Sequence, residues 1–185
     1  TSGGAEIATL VAHQAVVHAN VTLALVNRVL VNVDVPALSI QTGSADASLH
    51  FIDFGDLRLG ARVRLFGDDA TPFQLGLGAD VWLPTGTGAY VTDGKPRALP
   101  YLVAGGLGGP VLWTLMAGPE LRAAQLYRGS VQEGTSLDVS AGVAVLLGDA
   151  RQVQLGAEAE TSFVLSAPSA SNLNAELLLH ARYRF

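Results

Sequence analysis

From about residue 12 onward the chain repeats one pattern at period two, an apolar side chain followed by a polar, charged or small one. In the last fourteen residues the odd positions read Leu173, Ala175, Leu177, Leu179, Ala181, Tyr183 and Phe185, and the even positions carry most of the polar groups. Between Gln152 and Leu165, Val153, Leu155, Ala157, Ala159 and Phe163 oppose Gln154, Glu158, Glu160 and Ser162. Successive side chains of a strand point to opposite faces, so each segment reads as a strand with one apolar and one polar side. Nine such segments are visible, at about 12–25, 28–40, 53–66, 72–83, 97–107, 111–124, 135–147, 151–165 and 172–185. Most exceed the ~5–6 residues of an ordinary strand and reach the ~9–11 that a tilted strand needs to cross a bilayer.

The charges sharpen the pattern. Within the segments they fall on even positions: Arg28, Asp34, Asp56, Arg58, Arg62, Arg64, Asp80, Glu120, Arg122, Asp138, Glu158, Glu160, Glu176, Arg182 and Arg184. Arg97, at a segment start, is the exception. An Arg or Lys on a lipid-facing strand position costs about 2–4 kcal/mol at the midplane. The even face therefore looks into a barrel and the odd face into lipid. In a narrow barrel the interior ions must pair, which predicts a lumenal network joining Arg58, Arg62, Arg64 or Arg182 to Asp80, Glu158, Glu160 or Glu176. Glycines on the same face (Gly60, Gly76, Gly78, Gly142 and Gly156) leave room for the long chains opposite. Leu57, Val63, Leu77, Val139, Val143, Leu155, Leu177 and Leu179 are expected to face lipid.

Composition agrees. The 185 residues are 49% apolar and only 15% charged, against ~25% charged in a typical soluble domain, yet no apolar run approaches the ~18 residues of a membrane helix. Short turns at 67–69, 108–110 and 148–150 alternate with longer loops near 41–52, 84–96 and 125–134, as in outer-membrane barrels. Phe66, Phe73, Trp113, Tyr183 and Phe185 near the short turns, and Trp82, Tyr90, Tyr127 and Phe163 near the long ones, read as two interfacial girdles. The expected fold is an all-β, transmembrane, antiparallel up-and-down barrel over residues 11–185, preceded by a tail or linker at 1–10. It has 8–10 strands; ten is expected, because single-chain bacterial barrels have an even number, although nine are read.

The segments Gly55–Arg62, Val81–Gly86 and Ala117–Arg122, with the terminal Ala181–Phe185, resemble the barrel region of larger OmpA-family outer-membrane proteins. The resemblance implies an outer-membrane location, contact with outer-membrane lipid and lipopolysaccharide, and a terminal strand (Leu179, Ala181, Tyr183 and Phe185) that the barrel-assembly machinery reads. The cell-wall-binding domain that follows the barrel in many members has no counterpart in these residues.

Other chemistry finds little support. Net charge is −5, with one Lys against ten Arg and no basic tract, which argues against nucleic acid. There is no Cys, so disulfides and thiolate metal sites are excluded. No nucleophile elbow, His-Glu-x-x-His pair or phosphate loop appears, and 83–88 is Gly-rich without opening a helix. His180, near Glu176 and Arg182 on the polar face, is better placed for a hydrogen-bonded lumenal role than for Ser–His–acid catalysis. Asp46, Asp53 and Asp93 are too isolated for a calcium loop. No cofactor, metal or enzymatic turnover is expected. The leading role is a structural or anchoring barrel with a plugged, charged lumen; the alternatives are a narrow pore or transporter and, behind both, a lipid-modifying enzyme or protease.

Overall fold

A computed structural model describes residues 13–42, 53–68, 71–87, 92, 94–127, 131–165 and 173–184. Phe185, Tyr90, the 1–10 segment and the tips of the longer loops lie outside the described residues, as does the side chain of Tyr127. Nine long strands follow one another in chain order through one antiparallel sheet: β1 (His13–Leu25), β2 (Val29–Thr42), β3 (Leu57–Phe66), β4 (Gln74–Leu83), β5 (Arg97–Gly108), β6 (Val111–Glu120), β9 (Ser136–Leu147), β10 (Val153–Val164) and β11 (Leu173–Tyr183). All nine periodic segments are strands. A separate small hairpin, β7 (Gln125–Tyr127) with β8 (Val131–Glu133), occupies the stretch that the sequence marks only as a loop. Three residues per strand are too few for a period to register.

The sheet curls into a half-barrel and does not close: β1 and β11 each have a single neighbour. Among the described residues the sheet thus has the nine strands read from the sequence, not the expected ten, and it is an open half-barrel in place of a closed barrel. The four tight reversals, Leu25–Val29, Phe66–Gln74, Gly108–Val111 and Leu147–Val153, lie at one end. The longer connections, 43–56, 84–96, 121–135 and 165–172, lie at the other.

Turn chemistry explains the tight end. Gly67, Gly109 and Gly148 take positive φ, a conformation that glycine adopts without steric cost. In the β1–β2 turn Val26 (φ 44°) and Asn27 (φ 56°) do so instead, closed by Arg28 N donating to Leu25 O at 3.2 Å. Two successive positive φ values are the signature of the hairpin turn whose twist matches its strands.

The surface is inverted relative to a water-soluble domain. Among the described residues the buried side chains are mostly polar: Asp34, Asp53, Asp56, Glu120, Ser136 and Asp138, with only Leu99 and Ala144 as buried hydrophobes. Large apolar side chains line the convex face instead, Leu177 at 73% exposed and Leu179 at 82%. Of the eight positions expected to face outward, six are exposed, and Leu57 and Val139 are half-buried.

Register shows why Arg97 breaks the even-position rule. On β4 the inner face is even (Gly76, Gly78, Asp80 and Trp82), and these residues pair with Val103, Tyr101, Leu99 and Arg97 of β5. The 84–96 connection resets the parity, so on β5 the odd residues face inward and Leu102 faces out. The next turn restores it, because Val103 pairs with Met116 and Gly105 with Thr114.

Candidate functional site

The concave face carries a belt of charged and aromatic groups across six strands, at the end of the long connections. Asp34 on β2 accepts from His18 Nδ1 of β1 at 3.1 Å and lies 3.6 Å from Arg58 Nη2 of β3. The β-bulge between Val17 and His18 is where β1 changes register against β2 next to this contact. Arg58 and Arg97 both approach the ring of Trp82 on β4, at 6.0 and 4.4 Å from its centroid, within the range of cation–π attraction. Arg97 Nη1 then reaches Glu120 Oε1 at 3.3 Å, and Arg122 Nε reaches the same oxygen at 3.7 Å.

Glu120 is register partner to Ser136. The polar run continues there: Asp138 Oδ1 accepts from Ser136 Oγ at 2.9 Å and from Ser162 Oγ at 2.8 Å. Asp56, at the root of the 43–56 connection, accepts from Gly86 N at 3.0 Å and from Thr92 Oγ1, pinning two long connections together. Burying these carboxylates is tolerable because each is bonded or paired.

Trp82 therefore belongs to this inner belt and not to an interfacial girdle. Its even position carried that signal, and proximity to a loop is not enough to place an aromatic in a girdle. At the tight end Phe66, Phe73 and Trp113 form a chain of rings with centroids 6.1 and 6.2 Å apart. Trp113 Nε1 also donates to Pro72 O at 3.1 Å.

The remaining charges are less engaged. Arg62, Asp80, Glu160, Glu176 and Arg182 make no ion pair within 4.0 Å among the described residues. The predicted pairing of Arg58, Arg62, Arg64 or Arg182 with Asp80, Glu158, Glu160 or Glu176 is replaced by other partners: Arg58 takes Asp34, Arg64 lies 4.0 Å from Asp68, and Glu158 takes His180 Nδ1 at 3.4 Å. The reason is register. These pairs, like those of Glu120, join adjacent strands or close sequence neighbours, and none spans the concave space. Glu160 stands directly opposite Glu176 in the ladder.

No known protein family matches the chain, and no characterised protein matches it in sequence.

The glycines make space, Gly142 for Glu158 and Gly76 for Arg62 as expected, and the others for different tenants. A Cβ on Gly60 would meet Asn32 Oδ1 and Asp80 Oδ1, one on Gly78 the ring of Tyr101, and one on Gly156 the ring of His180. Near the tight end a cavity of ≈ 300 Å³ is lined by Arg62, Arg64, Gln74, Val103 and Thr114, among others. His180 is held by Gln154 Nε2 at 3.1 Å and Glu158, while Ser136 and Ser162 are bonded to Asp138. These contacts do not bring a serine hydroxyl to the imidazole. The described residues contain no group of three or more acidic, His or Cys side chains placed to hold a metal. Chemically the concave face is an ion-lined wall in which, among the described residues, no serine hydroxyl lies against an imidazole.

Proposed function

We propose that the chain is the wall of a bacterial outer-membrane β-barrel and that its concave face lines an aqueous passage for small hydrophilic solutes. The observation that carries this reading is the inversion of the surface, with Asp34, Glu120 and Asp138 buried while Leu77, Leu102, Val143, Leu155, Leu177 and Leu179 stand exposed on the convex side. A water-soluble monomer rarely exposes a contiguous apolar patch beyond a few hundred Å², and here the patch runs around the whole convex face. The alternation of tight and long connections, and the ring chain Phe66–Phe73–Trp113 at the tight end, fit a membrane-crossing wall. The exposed alternation Leu179, Ala181 and Tyr183 fits a terminal strand read by the barrel-assembly machinery. Outer-membrane lipid and lipopolysaccharide are the surroundings this face suits. The resemblance to OmpA-family barrels belongs to the same proposal.

Between a plugged anchor and a passage, the ion pairs favour the passage. A plug needs charges that meet across the lumen, whereas the pairs of the belt run along the wall. Refolding into phospholipid vesicles, followed by solute-influx and planar-bilayer conductance measurements, tests the proposal. Stepwise conductance is expected. Folding without conductance would support the anchoring role, and a chain that folds in plain buffer would refute the membrane reading altogether.

A further inference from the structure

Among the described residues the sheet ends in two long edges that no further strand covers. Strand β1 has thirteen residues and β11 eleven, and each bonds to one neighbour only. Soluble proteins blunt such edges with charges, prolines or bulges that twist the strand away. Here β1 has its bulge at Val17/His18 but contains no Asp, Glu, Lys, Arg or Pro, and the outward positions of β11 are Leu173, Ala175, Leu177, Leu179, Ala181 and Tyr183. In hydrocarbon an open ladder has no water to satisfy it. Given the reading of the chain as a membrane wall, both edges must be paired.

Direction and charge constrain the partner. Because nine strands alternate in direction, β1 and β11 run the same way, from the long-connection end to the tight end. The inner face is also unevenly charged: β3 carries Arg58, Arg62 and Arg64, flanked by Asp34 on β2 and Asp80 on β4, while β10 and β11 carry Glu158, Glu160 and Glu176 against Arg182 alone. The β1 edge lies on the basic flank, with neutral Asn20 and Thr22 in front, and the β11 edge lies on the acidic flank.

We propose that a second copy of this chain completes the barrel head to tail, β1 of each copy beside β11 of the other. Two copies in one membrane, with their long connections on the same side and their apolar faces outward, can meet only in that way; an edge-to-like-edge seam would turn one copy upside down or inside out. A β11–β11 seam would set Glu176 against its own copy, with Glu160 directly behind, and like charges placed opposite one another repel. The head-to-tail seams instead bring the acidic flank to Asn20 and Thr22, with the arginines of β3 beyond. The half-barrel curvature fits a wide lumen better than self-closure, and the ion pairs described above run along the wall and not across the concave space. Two nine-stranded sheets give eighteen strands, a size at which a barrel keeps an aqueous channel.

The chain has no Cys, so engineered thiols report cleanly. One population carries Thr22→Cys in β1, a second carries Leu178→Cys in β11, and the two are refolded together into vesicles and oxidised. Asn20→Cys and Ala24→Cys repeat the test at neighbouring registers. A cross-link at twice the chain mass is expected in the mixture and not in either population alone, and Glu160→Lys with Glu176→Lys should reduce it several-fold. A chain that folds into vesicles but stays monomeric without cross-links refutes the pairing and leaves the membrane reading standing. So does a double-cysteine chain that cross-links to itself when diluted in unmodified protein, which would indicate self-closure. Folding in water without lipid would refute both.

Discussion

Leu77→Arg separates a membrane wall from a water-exposed sheet by magnitude. Leu77 sits mid-strand in β4 on the convex face, 46% exposed, with Val63 and Leu102 as its register partners. On a surface facing water, a substitution there changes stability by about 0.5 kcal/mol at most. Facing the bilayer interior, the guanidinium costs about 2–4 kcal/mol, roughly a 30- to 900-fold change in the folding equilibrium at about 1.36 kcal/mol per decade. The matched control is Ser140→Arg on the concave face of β9. Ser140 pairs in register with Glu160, so the new cation gains an acid neighbour and stability should hold or rise slightly. Urea unfolding in phospholipid vesicles, followed by Trp82 and Trp113 fluorescence, reads both variants. Equal, small effects of the two substitutions would refute the assignment of the convex face to lipid.

Quenching by doxyl-labelled lipid should strike Trp113 and spare Trp82, read from the single-tryptophan variants Trp82→Phe and Trp113→Phe; equal quenching would place both rings on one face. Gly118→Ala should destabilise by about 1–3 kcal/mol, because its Cβ would lie 2.1 Å from Pro100 O and 2.8 Å from Tyr101 Cα, both main-chain atoms. Gly60→Ala should cost less in the same unfolding assay, since its nearest neighbours are the movable ends of Asn32 and Asp80. Val26→Gly should stabilise by up to about 1–2 kcal/mol, relieving a β-branched residue of positive φ, and an unchanged urea midpoint would argue against that turn geometry.

The strands were legible because facing is a local property: a period of two over ten residues marks a two-sided strand wherever its partners lie. Partner choice was not legible. Whether Arg58 meets Asp34 or Asp80 depends on how far neighbouring strands slide, and the bulges at Val17/His18 and Arg64/Phe66 each alter that slide by one residue. Strand number was visible, but closure was not, because nothing in a sequence period says whether the first and last strands touch. The belt was half visible. Arg58, Glu120 and Arg122 stood out as charges, whereas Trp82 was placed in a girdle by its nearness to a loop and Arg97 was set apart as the exception to the parity.

The parity reset at β5 reaches beyond this chain's own numbering. Each connection acts as a phase joint: it sets which half of the following alternation is wetted, and the next turn can undo the choice. The 84–96 stretch should thus accept insertions of either odd or even length, since register is fixed by the ladder and not by residue count. A single residue added within β4 or β5 would exchange the two sides of everything up to the next joint. Chains built on this plan can vary freely in their long connections while their walls stay locked in step, which leaves the exposed loops as the natural place for their surfaces to diverge.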